Sequence, residues 1–407
     1  MMDIATKENS PRKTYDYLLI GGGMVAGYAV KGIRKVYKEG LIGIISKDAD
    51  APYERPALSK KLWTDPEFTE DQISIGAEND PRTMIELRTT VKAVLPEEHL
   101  VKLENGEMIG YKKLLLATGG EPNRIKGPDA EQVIVFRDWS DYRKLRQQSG
   151  KNQEVLVVGG SYIGTELAAA LVQNNTKVTL IYPDKILNAK RFPKALAKEY
   201  EETFQNAGVK LVKEKRATSY SINDDKVELL LDDGSRLTGD TLVIGLGVSP
   251  RIQLAKESGL KLIEDGVWTD NKLHSSKTDI WVAGDIASYP DAILGRSRIE
   301  HVDHARNSGE VVGSIMAGAN VTYEHTPYFY SNVFSISWKA IGKMDPSLEQ
   351  VIDDVGTGKV VYFVDDQKLV GVLLWNVAID LDDVRALLKN PPTSSKDLKG
   401  ALLEKKE

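Results

Sequence analysis

"YDYLLIGGGMVAGYAV" (residues 15–30) runs an apolar segment into three glycines and out again into a stretch of helical character. Gly21, Gly23 and Ala26 stand in the spacing G-x-G-x-x-A, between a strand and the opening of a helix, which is the setting a dinucleotide-binding turn requires. The first glycine allows a tight turn, the second lets a pyrophosphate approach the backbone, and a small third residue lets helix and strand pack closely. The helix N-terminus then faces the phosphates with its partial positive charge. Taken alone, the pattern also fits a plain glycine-rich turn. Its weight comes from what the chain repeats.

"EVLVVGGSYIGTELAAAL" (154–171) has the same plan, with Gly159-x-Ser161-x-x-Gly164. A serine at the middle position narrows the approach to the backbone. Downstream of the first copy, "LENGEMIGYKKLLLATGGEPN" (103–123) sets an Asn-Gly hairpin turn before an apolar strand, and "LDDGSRLTGDTLVIGLGVSPR" (231–251) does so with Asp-Gly. Thirteen positions separate Gly106 from Gly119 and, likewise, Gly234 from Gly247; a proline follows three residues on in both copies. The chain therefore reads as two structurally similar dinucleotide-binding domains. "DIWVAGDIASY" (279–289) predicts a strand leading to Gly284-Asp285 and then a helix. Beyond it the character changes: "KVVYFVDDQKLVGVLLWN" (359–376) predicts two strands joined by a polar turn, and 380–390 a short amphipathic helix halted by Pro391 and Pro392. The expected fold is α/β, with two Rossmann-like dinucleotide-binding domains of glutathione-reductase-like type plus a small α+β C-terminal domain.

Composition narrows the chemistry. A length of 407 residues suggests two or three domains, and 34 glycines with 41% hydrophobic residues suit a globular α/β protein. The net charge of −5 and the lack of any long Lys/Arg run argue against a nucleic-acid partner. There are no cysteines, which removes disulfides, thiolate metal sites and redox-active thiol pairs. The start, "MMDIATKENSPRKT", is polar, with no signal or anchor pattern, and no apolar run reaches membrane-spanning length.

Residues at the strand ends are the candidates for holding nucleotides. After "KVTLIY" comes Asp184, which suits hydrogen bonds to an adenosine ribose, repels a 2′-phosphate and so leans toward NADH; a solvated loop aspartate is the alternative, and Lys190 could offset the charge. After "LIGIIS", Asp48 can accept from a ribose hydroxyl and Lys47 cannot. In "APYERPALSKKLW" (51–63), Arg55 and Lys60 could clamp a pyrophosphate or the electron-rich end of a flavin; on the residues alone, a solvated loop fits as well. "IEHVDHA" (299–305) holds two of the five histidines with Glu300 and Asp303. A metal there would need three or four converging ligands, a helix-capping role fewer.

Together these motifs resemble the apoptosis-inducing factor family of FAD-dependent pyridine-nucleotide oxidoreductases, from about Tyr17 to Asn376. "PYERPALSKKLW", "LLLATGG", "VVGGSYIGTELA", "IWVAGDIASY", "IEHVDHA" and "LVGVLLWN" are its most specific parts. Ferredoxin and rubredoxin reductases share the earlier motifs and are the alternative. The resemblance implies an FAD-binding domain at 1–146 and 272–322, an NAD-binding domain at 147–271 and a C-terminal domain at 323–407. It places FAD on Gly21, Gly22, Gly23, Val25, Ala26, Asp48, Arg55, Lys60, Val91, Arg137 and Asp285. It places NADH on Gly160, Tyr162, Ile163, Glu166, Asp184 and Lys190, with Gly247, Glu300 and His301 at the nicotinamide. Asn376 matches a second-nucleotide contact, and Tyr330 stands where the family usually has a tryptophan lid. Lys60, paired with Glu166, and His301 are the candidate catalytic residues.

The implied activity is hydride transfer from NADH to FAD with slow reoxidation, in a redox sensor or docking partner tied to mitochondria and cell death. Alternatives are an electron-transfer reductase and a non-catalytic, flavin-stabilised assembly factor. The resemblance also implies a protein partner of the mitochondrial disulfide-relay type, a redox-linked homodimer and an intermembrane-space location, although no targeting segment is present in this sequence. Departures are the tyrosine lid, the lack of the long acidic insertion of animal members, and no clear match for their dimerisation charges between Trp268 and Lys277.

Overall fold

The computed structural model describes residues 11–150 and 152–403, so most of the polar N-terminal stretch lies outside the described residues. The chain divides into two compact units. The first gathers the residues up to Arg55, Asp71–Glu121 and Ser249–Pro327; the second gathers Pro56–Glu70, Pro122–Val248 and the residues from Tyr328 on.

In the first unit, strand Lys13–Ile20 lies at the centre of a sheet, parallel to Ile42–Ile45 on one side and Met108–Leu116 on the other. Its last four residues are all buried, as expected of a parallel strand covered on both faces. Strand Thr83–Glu86 extends the sheet beyond Ile42–Ile45. On its other edge the long strand Met108–Leu116 serves two partners: its start pairs antiparallel with Leu100–Leu103 and its end pairs parallel with Ile280–Val282. Gly21 turns the chain at φ 110°, where a Cβ would sit 2.1 Å from the Ala117 carbonyl oxygen, so only glycine fits. Helix Met24–Val36 then packs against helix Val302–Met316. Contact is backbone to backbone at Gly32, Gly309 and Gly313, whose added Cβ atoms would meet the carbonyl oxygens of Glu310, Val25 and Ala29.

One expectation is corrected here. After Gly284-Asp285 the chain makes a single 3-10 turn, Gly284–Ile286, and then a strand, Ala287–Asp291, instead of a helix. Ile286 to Tyr289 are buried in succession, and the strand pairs antiparallel with Gly295–Arg298. Pro290 would also have broken a helix within its second turn.

The second unit repeats the plan. Five parallel strands run in the order Lys210–Val212, Lys177–Ile181, Glu154–Val158, Thr241–Ile244, Val133–Val135. Gly159 turns at φ 120° into helix Tyr162–Gln173, the counterpart of Gly21. The paired glycines match too: Gly106 and Gly234 have φ 88° and 83°, Gly119 and Gly247 have 64° and 81°. An antiparallel meander, Ala217–Asn223, Lys226–Leu231 and Arg236–Gly239, accompanies this sheet.

The same unit holds a five-stranded antiparallel sheet in the order Phe329–Val333, Ile336–Gly342, Lys368–Trp375, Gly358–Asp365, Glu349–Val355. Asp366 and Gln367, with φ 47° and 64°, make the two-residue turn that the right-handed twist of a hairpin favours. Helix Leu381–Lys389 follows, its first turn capped by the Asp380 carboxylate on the Asp382 amide. Among the described residues no helix is long and apolar enough to cross a membrane.

Candidate active site

The glycine turn of the first unit forms a cradle. Gly22 lies against Ser46, whereas a Cβ added to Gly23 would meet no atom within 4 Å. Gly23 is also the N-cap of helix Met24–Val36 and carries no side chain for the first-turn amides. Backbone is thus exposed at a helix N-terminus with space before it, which fits an incoming pyrophosphate. Gly284, at φ 71°, packs on Val25, where its added Cβ would come 2.5 Å from the valine Cγ2; this sets Asp285 beside the helix start. Asp48 accepts the Ala49 amide at 2.8 Å and an Arg55 guanidinium N–H at 3.0 Å, so part of its accepting capacity is already used. Val91 opens a strand opposite Leu103, two residues after Thr89, whose amide donates to the Ser46 carbonyl at 2.8 Å, and it packs against the apolar core of the sheet.

The heptad 299–305 divides by position. Helix Val302–Met316 starts after His301, whose Nδ1 accepts the Asp303 amide at 3.4 Å as N-cap; Glu300 is outside the helix, so no helical face joins it to Asp303. Arg298 ties Glu300 to Asp285: its Nη1 donates to the Glu300 carboxylate at 2.5 Å and to the Asp285 carbonyl at 2.9 Å. Asp303 meets His325 Nε2 at 2.5 Å. His304 is fully buried, stacked on Tyr289 at 4.7 Å, with Nδ1 2.8 Å from the Tyr323 hydroxyl. Burial pushes its pKa down to about 4, so it is neutral at ordinary pH.

In the second unit the strongest constellation surrounds Glu166, which is only 3% exposed on helix Tyr162–Gln173. Its Oε2 accepts from Lys60 Nζ at 2.7 Å and from Ser59 Oγ at 2.6 Å, and its Oε1 from Ser331 Oγ at 2.7 Å. The Lys60 ammonium also lies 5.2 Å from the Tyr330 ring centroid. The structure therefore joins Lys60, Glu166 and Tyr330 from three distant stretches of sequence. Ser59 and Ser331 escaped the sequence reading: Ser59 adjoins Lys60 in a quoted motif, but nothing local marks Ser331.

At the second glycine turn, Gly160 lies against Tyr182 and Leu187. Tyr162 is held by Trp338 (5.5 Å between centroids), and burial pushes its pKa up to about 12. Ile163 in the first helical turn is 37% exposed, as is Leu246 at 39% after strand Thr241–Ile244, so two large apolar side chains face solvent near the turn. Asp184 pairs with Lys190 at 3.0 Å. Gly247 belongs to this unit, Glu300 and His301 to the first. The Arg137 amide donates to Asp141, part of the capping box of helix Trp139–Gln147. Asn376, at φ 50°, exchanges two hydrogen bonds with Ser337, its amide donating to the serine carbonyl and its Oδ1 accepting the serine amide. Its position is set by the turn that closes the strand.

Two glycine cradles on two Rossmann-like sheets define a flavin- and pyridine-nucleotide-dependent oxidoreductase. Residues 15–309 match the model of the pyridine nucleotide-disulphide oxidoreductase family, and the chain belongs to it. It is an FAD-dependent enzyme that takes its electrons from NAD(P)H. Monodehydroascorbate reductase 4, peroxisomal, of Arabidopsis thaliana is 34% identical over 86% of this chain and 74% of its own length. Apoptosis-inducing factor 1, mitochondrial, of Dictyostelium discoideum is 29% identical over 95% of this chain and 84% of its own. In fold the chain is similar to putidaredoxin reductase in its covalent complex with putidaredoxin, with a TM-score of 0.85, 22% identity and 96% of each chain covered. The family expectation holds. The finer resemblance to apoptosis-inducing factor is shared with monodehydroascorbate reductases of higher identity.

Proposed function

We propose that this protein passes electrons from NADH to a small one-electron acceptor of the kind reduced by monodehydroascorbate reductases. The observation that carries this reading is the absence of cysteine from all 407 residues of a member of a family named for a disulphide. Without a dithiol, electrons must leave the flavin directly for an external acceptor. The relatives at 32–34% identity, which are monodehydroascorbate reductases by name, support that acceptor class.

In this reading the first cradle (Gly21, Gly22, Gly23, Val25, Ala26, with Asp48, Arg55 and Asp285) holds FAD, and Val91 and Arg137 complete its contacts. Gly160, Tyr162, Ile163, Asp184 and Lys190 hold NADH, and Gly247, Glu300 and His301 are each read as nicotinamide contacts. The FAD-binding, NAD-binding and C-terminal domains expected from the sequence remain part of this proposal, with strand Val133–Val135 counted in the NAD-binding sheet with which it pairs. Bound FAD supplies the chemistry that accepts a hydride and releases electrons one at a time. The chain's own part is positional and electrostatic. Glu166, with Ser59 and Ser331 donating to it, fixes the ammonium of Lys60, which supplies positive charge to the electron-rich side of the site. Tyr330 covers that ammonium, and Asn376 holds the closing turn of the C-terminal sheet.

A second reading, of apoptosis-inducing-factor type, is favoured by the Dictyostelium relative, which matches 95% of the chain. It brings slow reoxidation, a redox-linked homodimer, a partner of the disulfide-relay type, an intermembrane-space location and a role in cell death. The experiment that separates the two begins with anaerobic NADH titration followed by flavin absorbance. The reduced protein is then offered ascorbate radical, an oxidised iron–sulfur protein, or air. Fast reoxidation by the radical supports the first reading. A long-wavelength charge-transfer band that survives air, with an earlier size-exclusion elution, replaces it with the second; turnover with the iron–sulfur protein alone replaces both. A protein that binds no flavin overturns the assignment.

A further inference from the structure

Resting on the reading that the second cradle binds a pyridine dinucleotide, we propose that Arg191 is the residue that binds its pyrophosphate, held in place by the serine that replaces the middle glycine of the turn. Ser161 is the N-cap of the twelve-residue helix Tyr162–Gln173, yet its side chain caps no amide of that helix. Its Oγ instead accepts from Arg191 Nη1 at 2.8 Å, and the same nitrogen donates to Asn188 Oδ1 at 3.2 Å. The guanidinium carbon lies 4.5 Å from the Tyr162 ring centroid.

The arginine arrives on a rigid turn. Asn188, buried and at φ 58°, accepts the amides of Arg191 and Phe192 at 2.9 and 3.1 Å. Phe192 is 1% exposed and packs edge-on against Tyr200, Trp338 and Trp375.

Charge decides the assignment between the two neighbouring cations. Lys190 is paired with the Asp184 carboxylate. Arg191 makes its contacts with a hydroxyl, an amide and an aromatic ring, all neutral, so its charge is retained at the N-terminal end of a helix whose side-chain cap is absent. A planar guanidinium is suited to two phosphate oxygens at once, and the helix end adds backbone donors for the same anion. Serine in place of glycine narrows the cradle and in return fixes a cation at it. Lys190, tied to Asp184, serves the ribose end.

The test is calorimetric binding of ADP-ribose, NADH and NADPH to the FAD-loaded protein and to the variants Arg191→Ala, Arg191→Lys and Ser161→Gly. Thermal melting and the flavin spectrum report on folding. Arg191→Ala is expected to weaken ADP-ribose and NADH by roughly tenfold to a hundredfold, the scale of a charge-assisted hydrogen-bond pair. It should also flatten the salt dependence of binding. Arg191→Lys should recover only part of the loss, and Ser161→Gly should cost about three- to tenfold by freeing the guanidinium. Arg191→Ala with wild-type affinity for ADP-ribose overturns the proposal, and so does a loss confined to NADPH, which would move Arg191 to a 2′-phosphate. If the unmodified protein binds none of the three ligands, the parent reading fails and the proposal with it.

Discussion

Removing the Glu166 carboxylate tests the buried constellation most directly. Glu166→Ala strips the acceptor from the hydroxyls of Ser59 and Ser331, which are 4% and 1% exposed, and from the Lys60 ammonium. Each stranded hydroxyl costs about 1–3 kcal/mol, and an uncompensated partner of a buried pair about 3–5 kcal/mol. The loss should therefore reach at least about 5 kcal/mol, comparable to the whole stability of many domains. Glu166→Gln keeps the shape and one accepting oxygen but removes the charge and turns the other oxygen into an NH2 donor, so it should cost about 2–3 kcal/mol. Lys60→Met leaves the carboxylate its two serine donors and should cost about 3 kcal/mol. Because both single changes break one pair, the double variant Lys60→Met with Glu166→Gln should lose about 2 kcal/mol less than their sum. Urea unfolding followed by tryptophan fluorescence suits this unit, since Trp63, Trp139, Trp338 and Trp375, four of the chain's six tryptophans, lie in it. Wild-type midpoints for Glu166→Ala, or strict additivity in the cycle, would refute the reasoning.

Three further outcomes are expected. Gly21→Ala should abolish soluble, flavin-loaded protein, because its Cβ would overlap the Ala117 carbonyl; Gly23→Ala should fold normally, since its Cβ meets nothing, yet retain less FAD after gel filtration, read as flavin absorbance per chain. For His304 the folded pKa of about 4 lies below its ordinary 6.5, so the unfolded chain binds the proton first as pH falls. The associated stability is complete above pH 6.5 and about 3 kcal/mol of it is lost on descending to about pH 4. Thermal melting of His304→Gln across this window should show a smaller acid-dependent decline than the wild type. Asn376→Ala places a Cβ-bearing residue without a side-chain acceptor at φ 50° and should cost about 1–2 kcal/mol, with Asn376→Gly less damaging, as melting temperatures would show.

The sequence alone determined the doubled architecture, because each dinucleotide turn is a local event. A strand must reverse at a residue that tolerates positive φ, and a helix must start within a few residues, so Gly21 and Gly159 with their matched downstream glycines were readable as text. The same holds for the two-residue turn at Asp366-Gln367 and the Asp380 cap, whose geometry is fixed by neighbours in sequence. What failed was the segment after Gly284, where burial on all sides and pairing with residues 295–298 made a strand from a run that looked helical. The tertiary structure alone decided the partners of each charge. Glu166 gathers Ser59, Lys60 and Ser331 across separations of 106 to 165 residues, Arg298 links Glu300 to Asp285, and Arg191 stands on Ser161 while Lys190 goes to Asp184. Such pairings depend on which side chains converge when the strands align, and no periodicity or local turn records them.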